Sequence, residues 1–161
     1  MSMFSLFEWI NETQLSIAVR ESVWVFPILL SIHALGTSLS AGTVAWFDLR
    51  LLGVKLTQQT VSEVYRQIAP WMIGGFAIMF ISGGLLFWAS PVSLYEDAFF
   101  WIKAGALVLG SVNAAVYHLT IRRTISRWDT APVPPRLVRM SGIASLLAWT
   151  SAIVFGRLIF S

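Results

Sequence analysis

The chain has 161 residues, of which 57% are hydrophobic and 12% are charged, with a net charge of +3 and a mean hydropathy of +0.73. Soluble domains carry roughly 25% charged residues, so this composition excludes a soluble globular domain and indicates an integral membrane protein. The chain has no cysteine, which excludes disulfides, thiolate metal sites and cysteine nucleophiles. It also has no phosphate-binding loop, zinc-protease motif or nucleophile motif. We therefore predict neither an enzyme nor a nucleic-acid-binding protein.

The first predicted element is a short interfacial helix. Residues 3–18 mix apolar side chains with the polar residues Glu8, Asn11, Glu12 and Gln14. Such a composition is typical of a helix that lies on a bilayer surface. We expect this helix to precede the first membrane span.

Four segments then follow that are long and apolar enough to cross a bilayer, which takes about 20 residues. They cover approximately residues 22–47, 69–92, 98–121 and 138–159. Because lipid offers no hydrogen-bond partner to a bare backbone, these segments must be helices. The sequence therefore predicts an all-α membrane protein, a four-helix bundle that forms a single integral domain over residues 1–161.

The connecting loops differ in charge, and cytoplasmic loops accumulate Lys and Arg. The middle loop carries Glu96 and Asp97 and no basic residue. The first and third loops are basic, with Arg50, Lys55, Arg66, Arg122, Arg123, Arg127, Arg136 and Arg139. We expect these two loops in the cytoplasm of a bacterium, so that the protein lies in the inner membrane with both termini periplasmic.

His33 is the first candidate site residue, because ionisable groups at bilayer depth are costly and often functional. No formal charge occurs between Ser22 and Phe47 around it. The residues that follow on its helix face, Gly36 and Thr37 among them, are small or hydroxylic, so this face can admit a cofactor edge, an ion or another helix. Three roles stay open: a hydrogen bond to a neighbouring helix, ligation of haem or a metal, and proton transfer.

His118 is the second candidate ligand, since imidazoles on facing helices commonly hold haem iron in a bundle. Measured from Trp24 and Trp101, however, His33 lies about 13 Å and His118 about 25 Å into their spans. This difference argues against a haem or metal bound by both histidines of one chain. In a homodimer, two copies of His33 would lie at equal depth. Otherwise His118 serves a separate site or is an interfacial residue.

Lys103 and Arg157 both lie near the outer ends of their spans. They are expected to extend toward the headgroups, or to bind a haem propionate or an anionic partner together. Asp48 and Arg50 are two residues apart and do not face each other on a helix, so we expect each to pair with other loops.

Six stretches resemble an uncharacterised family of small four-helix bacterial inner-membrane proteins: "ESVWVFPILLSIHALG", "FDLRLLG", "APWMIGGFA", "FWIKAGAL", "RWDTAP" and "GRLI". The resemblance covers nearly the whole chain and implies the same fold, without an established activity. A looser similarity to copper-resistance type membrane proteins suggests metal handling. Positions that match the family pattern are Glu21, His33, Asp48, Arg50, Lys103, His118 and Arg157.

The functional prediction is a small membrane protein that binds a b-type haem, or a metal such as copper, through buried histidine. It would serve electron transfer or copper handling in the lipid bilayer, as a homo-oligomer or within a larger membrane complex. The alternative is a cofactor-free accessory subunit of such a complex. Transport is disfavoured because the spans offer few polar faces.

Overall fold

The computed structural model describes residues 3–159, and this part of the chain consists of helices and loops without a strand. Four helices are long and apolar enough to cross a membrane: α3, α4, α6 and α7. This confirms the predicted four-helix membrane architecture. The α-helices are α1 (Met3–Asn11), α2 (Gln14–Glu21), α3 (Val25–Leu51), α4 (Val61–Ala89), α5 (Pro91–Glu96), α6 (Ala98–Leu119) and α7 (Arg136–Leu158), and a 3₁₀ segment covers Ile121–Arg127.

Helix α4 begins at Val61, well before the predicted start at residue 69. A reciprocal capping box explains the early start. The Glu63 backbone N–H donates to the Thr60 hydroxyl at 3.1 Å, and the Thr60 N–H donates to the Glu63 carboxylate at 2.9 Å. These two bonds satisfy backbone donors that the first turn of a helix otherwise leaves without partners. Polar turns can therefore extend the helix beyond its apolar stretch.

The predicted N-terminal helix is divided into two helices, α1 and α2. The break occurs at Thr13, whose hydroxyl accepts the Ser16 backbone N–H at 3.3 Å and so caps α2. Ser16 in turn donates from its hydroxyl to the carbonyl of Ala89, the last residue of α4, at 3.0 Å. Helices α1, α2 and α5 thus close one end of the bundle, which we call the terminal end.

The opposite end, called the loop end, consists of residues 52–60 and 120–135 and the helix turns beside them. Arg50, with a relative exposure of 0%, holds these loops together. Its guanidinium donates to the carbonyls of Gln59 at 2.9 Å, Ala131 at 3.2 Å and Asp129 at 3.3 Å. The expectation that Arg50 pairs with loops is therefore confirmed. The main buried apolar cluster also lies here: Phe47, Leu51, Val61, Val64, Tyr117, Trp128 and Val138.

Helix α3 packs closely on α4, and α6 packs on α7, while contacts between α3 and α7 join the two pairs. The α3–α4 approach depends on glycine. A Cβ added at Gly75 would lie 2.6 Å from the Ser40 backbone nitrogen, and one at Gly36 would lie 2.7 Å from a methyl group of Ile78. Small residues at helix contacts are expected in a membrane, where lipid supplies no hydrophobic drive for association.

The α6–α7 pair is joined by a reciprocal polar contact. The Asn113 side-chain amide donates to the Ser141 carbonyl at 3.0 Å, and the Ser141 hydroxyl donates to the Asn113 side-chain oxygen at 3.1 Å. Both groups lie within helices that are candidate membrane spans. The two bonds give the Asn113 side-chain amide and the Ser141 hydroxyl hydrogen-bond partners in an apolar surrounding, where an unpaired polar group is costly.

Candidate functional site around His33

His33 lies in the third turn of α3, near the terminal end, and its half-buried imidazole reaches across to α4. Its Nδ1 atom is 3.1 Å from the Met79 carbonyl oxygen and 3.0 Å from the Ser82 hydroxyl. The Ser82 hydroxyl itself donates to the Ile78 carbonyl at 2.6 Å. Because that proton is already engaged, we assign the ring proton to Nδ1, which then donates to the oxygen atoms of α4.

This assignment leaves the lone pair of a neutral imidazole on Nε2 of His33. No residue between 3 and 159 forms a hydrogen bond with that atom. Histidines that bind metals in proteins commonly donate their other ring N–H to a carbonyl or carboxylate, which fixes the tautomer and the ring orientation. The contacts of His33 have this form.

Gly83 gives the imidazole its space against α4. A Cβ added at Gly83 would lie 3.0 Å from Cε1 and 3.4 Å from Nδ1 of His33, whereas one at Gly84 would meet no atom within 4 Å. The His33 ring therefore packs against the α4 backbone at Gly83 and not at Gly84.

Lys103 of α6 also reaches this part of the bundle. Its side chain lies over α7, where a Cβ at Gly156 would be 3.3 Å from its Cδ and Cε atoms and 3.4 Å from Nζ. The ammonium group lies close enough to His33 for its charge to act on the imidazole. Within the described range, no hydrogen bond involves this ammonium group. Arg157 follows Gly156 and is exposed at the same end of the bundle.

His118 lies at the loop end, away from His33. Its ring packs edge-on against Tyr65 of α4 and Tyr117, at centroid distances of 5.6 and 5.3 Å. Tyr65 and Ser82, the α4 residues beside the two histidines, are separated by about 25 Å of helix rise. The structure thus does not bring His33 and His118 together. In residues 3–159, no three His, Cys, Asp or Glu side chains are grouped so as to hold a metal ion.

Several features of the site were not predicted from the sequence. Met79 and Ser82 as partners of His33 were missed, although the stretch Ser82-Gly83-Gly84 in an apolar span signals a close approach. The expected pairing of Asp48 with loops was wrong. Its carboxyl group is buried between helices, beside Ser145 of α7, because α3 turns this position toward the bundle interior.

The fold and the His33 site define a multi-pass α-helical membrane protein with an oriented imidazole inside the bundle. A family model described as "Family of unknown function (DUF6644)" matches residues 6–161, and the chain belongs to this family. This confirms the resemblance to an uncharacterised family. No curated protein and no solved structure matches the chain.

Proposed function

We propose that this protein binds a b-type haem through Nε2 of His33 and serves electron transfer in a membrane. The observation that carries the proposal is the pair of bonds from Nδ1 to the Met79 carbonyl and the Ser82 hydroxyl, which leaves Nε2 without a partner among residues 3–159. When bound, haem would supply one-electron redox chemistry. No catalytic step is assigned to the chain itself.

The donor set favours haem over a single metal ion. A porphyrin brings four nitrogen ligands of its own, so one imidazole from a chain is enough to hold it. A copper ion at His33 would need further protein donors, and residues 3–159 hold no cluster of three. The Lys103 ammonium near His33 also opposes a bare cation, whereas it attracts a propionate. Copper handling is therefore the less supported alternative.

Lys103, together with Arg157 at the same end of the bundle, would bind the propionates in this proposal. A second copy of the chain, related by a two-fold axis along the membrane normal, would bring its own His33 to the same depth. In that arrangement, one His33 from each copy would hold the haem. His118 remains a predicted ligand of a separate site.

The charge distribution supports an orientation in a bacterial inner membrane. The loop end carries the basic residues Arg122, Arg123 and Arg127, and basic loops stay in the cytoplasm. Both termini would then be periplasmic. His33 would lie in the periplasmic half of the bilayer.

A cofactor-free accessory subunit is the second candidate function. The same bonds from His33 to Met79 and Ser82 join α3 to α4, and interhelical hydrogen bonds of this kind stabilise membrane bundles. In that role His33 would support assembly with other chains and bind no ligand.

Haem titration of the haem-depleted protein in detergent separates the two functions. We expect saturable binding to the wild type. Binding to His33→Ala should be weaker by more than the roughly 100-fold effect of changing a residue outside the ligand shell. Binding to the control Gly84→Ala should be unchanged, because a Cβ added there would meet no atom within 4 Å. Equal binding by His33→Ala and the wild type would refute the assignment. A wild type that binds no haem, with a lower melting temperature in His33→Ala, would establish the accessory role.

A further inference from the structure

An open groove of about 540 Å³ lies at the loop end, between the first three turns of α4 and the start of the 3₁₀ segment. Its lining residues are Ser62, Glu63, Tyr65, Arg66, Ala69 and Arg122. Both arginines are exposed. The groove therefore offers two guanidinium groups, from two different elements, to a ligand at the surface.

The Tyr65 ring positions one of these guanidinium groups. The central guanidinium carbon of Arg122 lies 4.5 Å from the centroid of that ring. A cation over a ring face is held by the π-system and keeps its N–H donors available. Within residues 3–159, the side chains of Arg66 and Arg122 form no hydrogen bond. Two such guanidinium groups can bind a phosphate through charge-assisted hydrogen bonds.

The charge of the lining favours an anion with a single negative charge. Glu63 also lines the groove, and its carboxylate accepts the Thr60 backbone N–H at 2.9 Å. Two guanidinium groups and one carboxylate leave one net positive charge. A phosphodiester carries one negative charge and matches it, whereas the Glu63 carboxylate would repel a doubly charged phosphate more strongly.

The position of the groove on α4 favours a phosphodiester that belongs to a lipid. The groove ends at Ala69, where the apolar stretch of α4 begins. At helical spacing from Ala69, the same face of α4 continues with Ile73, Ala77 and Phe80, which are all exposed. Phe80 lies about 17 Å beyond Ala69, slightly more than half the hydrocarbon thickness. A phosphate in the groove would thus be followed by an apolar surface on which an acyl chain can lie.

We infer that this groove binds the phosphodiester of a phospholipid from the leaflet at the loop end. The phosphate lies between Arg66 and Arg122, and one acyl chain lies along Ile73 and Phe80. The groove is separated by about 25 Å of helix rise from the His33 site, so lipid binding there requires no haem. The inference holds or fails independently of the proposed function.

Titration of the detergent-purified protein with phosphatidylglycerol, followed by native mass spectrometry, tests the inference. We expect one tightly bound lipid per wild-type chain and about tenfold weaker binding in Arg122→Gln, a loss of about 1.4 kcal/mol. Arg66→Gln should weaken binding by a similar factor. Arg123→Gln is the matched control, because Arg123 is also exposed in the 3₁₀ segment but lies outside the groove lining. It removes the same charge and should bind the lipid like the wild type.

Two further probes distinguish a lipid site from other anion sites. Diacylglycerol with the same acyl chains lacks the phosphate and should bind at least tenfold more weakly than phosphatidylglycerol. Inorganic phosphate, at the concentration that half-saturates the site with lipid, should not displace the lipid. Equal binding by Arg122→Gln and Arg123→Gln would show that only overall charge matters and would overturn the inference. Displacement by inorganic phosphate, or equal affinity for diacylglycerol, would overturn it as well.

Discussion

At the residue scale, the central feature is a histidine whose two ring nitrogens have different surroundings. Nδ1 of His33 faces two oxygen atoms of α4, whereas Nε2 has no partner within residues 3–159. A neutral imidazole avoids the large cost of a charge in the bilayer. Its Nδ1–H donor is satisfied by the oxygen atoms of α4. The open side is then available to a ligand, which is why the same contacts support a binding role.

Gly83 and Gly84 of α4 offer a test of the His33 site that leaves His33 itself unchanged. A Cβ in Gly83→Ala would lie 3.0 Å from Cε1 of His33, so the ring must move by a few tenths of an ångström. Because outer-shell changes cost roughly 10- to 100-fold in metal affinity, we expect weaker haem binding in titration. Gly84→Ala should bind like the wild type, because no atom lies within 4 Å of its Cβ. Equal affinities in the two variants would show that the imidazole position does not control binding.

Asp48 and Arg50 show what spacing alone can and cannot predict. Their separation by two residues correctly indicates that they face different directions on α3. Arg50 turns to the loop carbonyls, as expected, while Asp48 turns toward Ser145 of α7. The sequence does not say which neighbour each direction meets, because that depends on how α3 is rotated against α4 and α7.

At the element scale, the close packing of α3 on α4 depends on Gly75, which has no side chain where the two helices meet. In Gly75→Ala, the new Cβ would lie 2.6 Å from the Ser40 backbone nitrogen. Since a backbone atom cannot rotate away, the helices must separate. We expect the free energy of unfolding to fall by about 1–3 kcal/mol.

The control for this prediction is Gly74→Ala, whose Cβ would meet no atom within 4 Å. Alanine favours a helix over glycine by up to about 1 kcal/mol, so this variant should match or exceed the wild type. Reversible unfolding in mixed detergent micelles, followed by circular dichroism, provides the comparison. A similar loss in both variants would mean that helix packing at Gly75 is not tight.

Hydropathy predicts the four spans because each span must be apolar over a bilayer thickness. The ends of α6 and α7 agree with the prediction to within two residues. The start of α4 does not, since hydropathy is insensitive to the polar turn that Thr60 and Glu63 cap. The pattern Thr-x-x-Glu at that point is a readable capping signal.

Hydropathy could not predict that Met79 and Ser82 are the partners of His33, because these contacts depend on which helices pair and how each is rotated. Hydropathy places His33 and Ser82 within two spans, but it carries no information on which faces meet. The α3–α4 contact is set by glycines and a serine at particular turns. A single sequence gives many such small residues, and only the structure shows which ones touch.

At the scale of the whole molecule, the two ends of the bundle differ in charge, and this should fix its orientation. Because the native chain has no cysteine, single cysteines report topology cleanly. We expect Glu12→Cys, at the exposed N-terminal segment, to react with a membrane-impermeant maleimide applied to intact spheroplasts. Ser126→Cys, exposed in the 3₁₀ segment, should react only after the membrane is permeabilised. The reverse pattern would place the His33 site in the cytoplasmic half.

His33, near the terminal end, and Asp48, near the loop end, are polar residues at different depths of the bundle. The His33 site is the central claim, and the visible spectrum of the detergent-purified protein from haem-supplied cells tests it most directly. The account predicts a Soret band in the oxidised protein and sharpened longer-wavelength bands after dithionite reduction, both absent from His33→Ala. A featureless spectrum of the wild type in both states would contradict it.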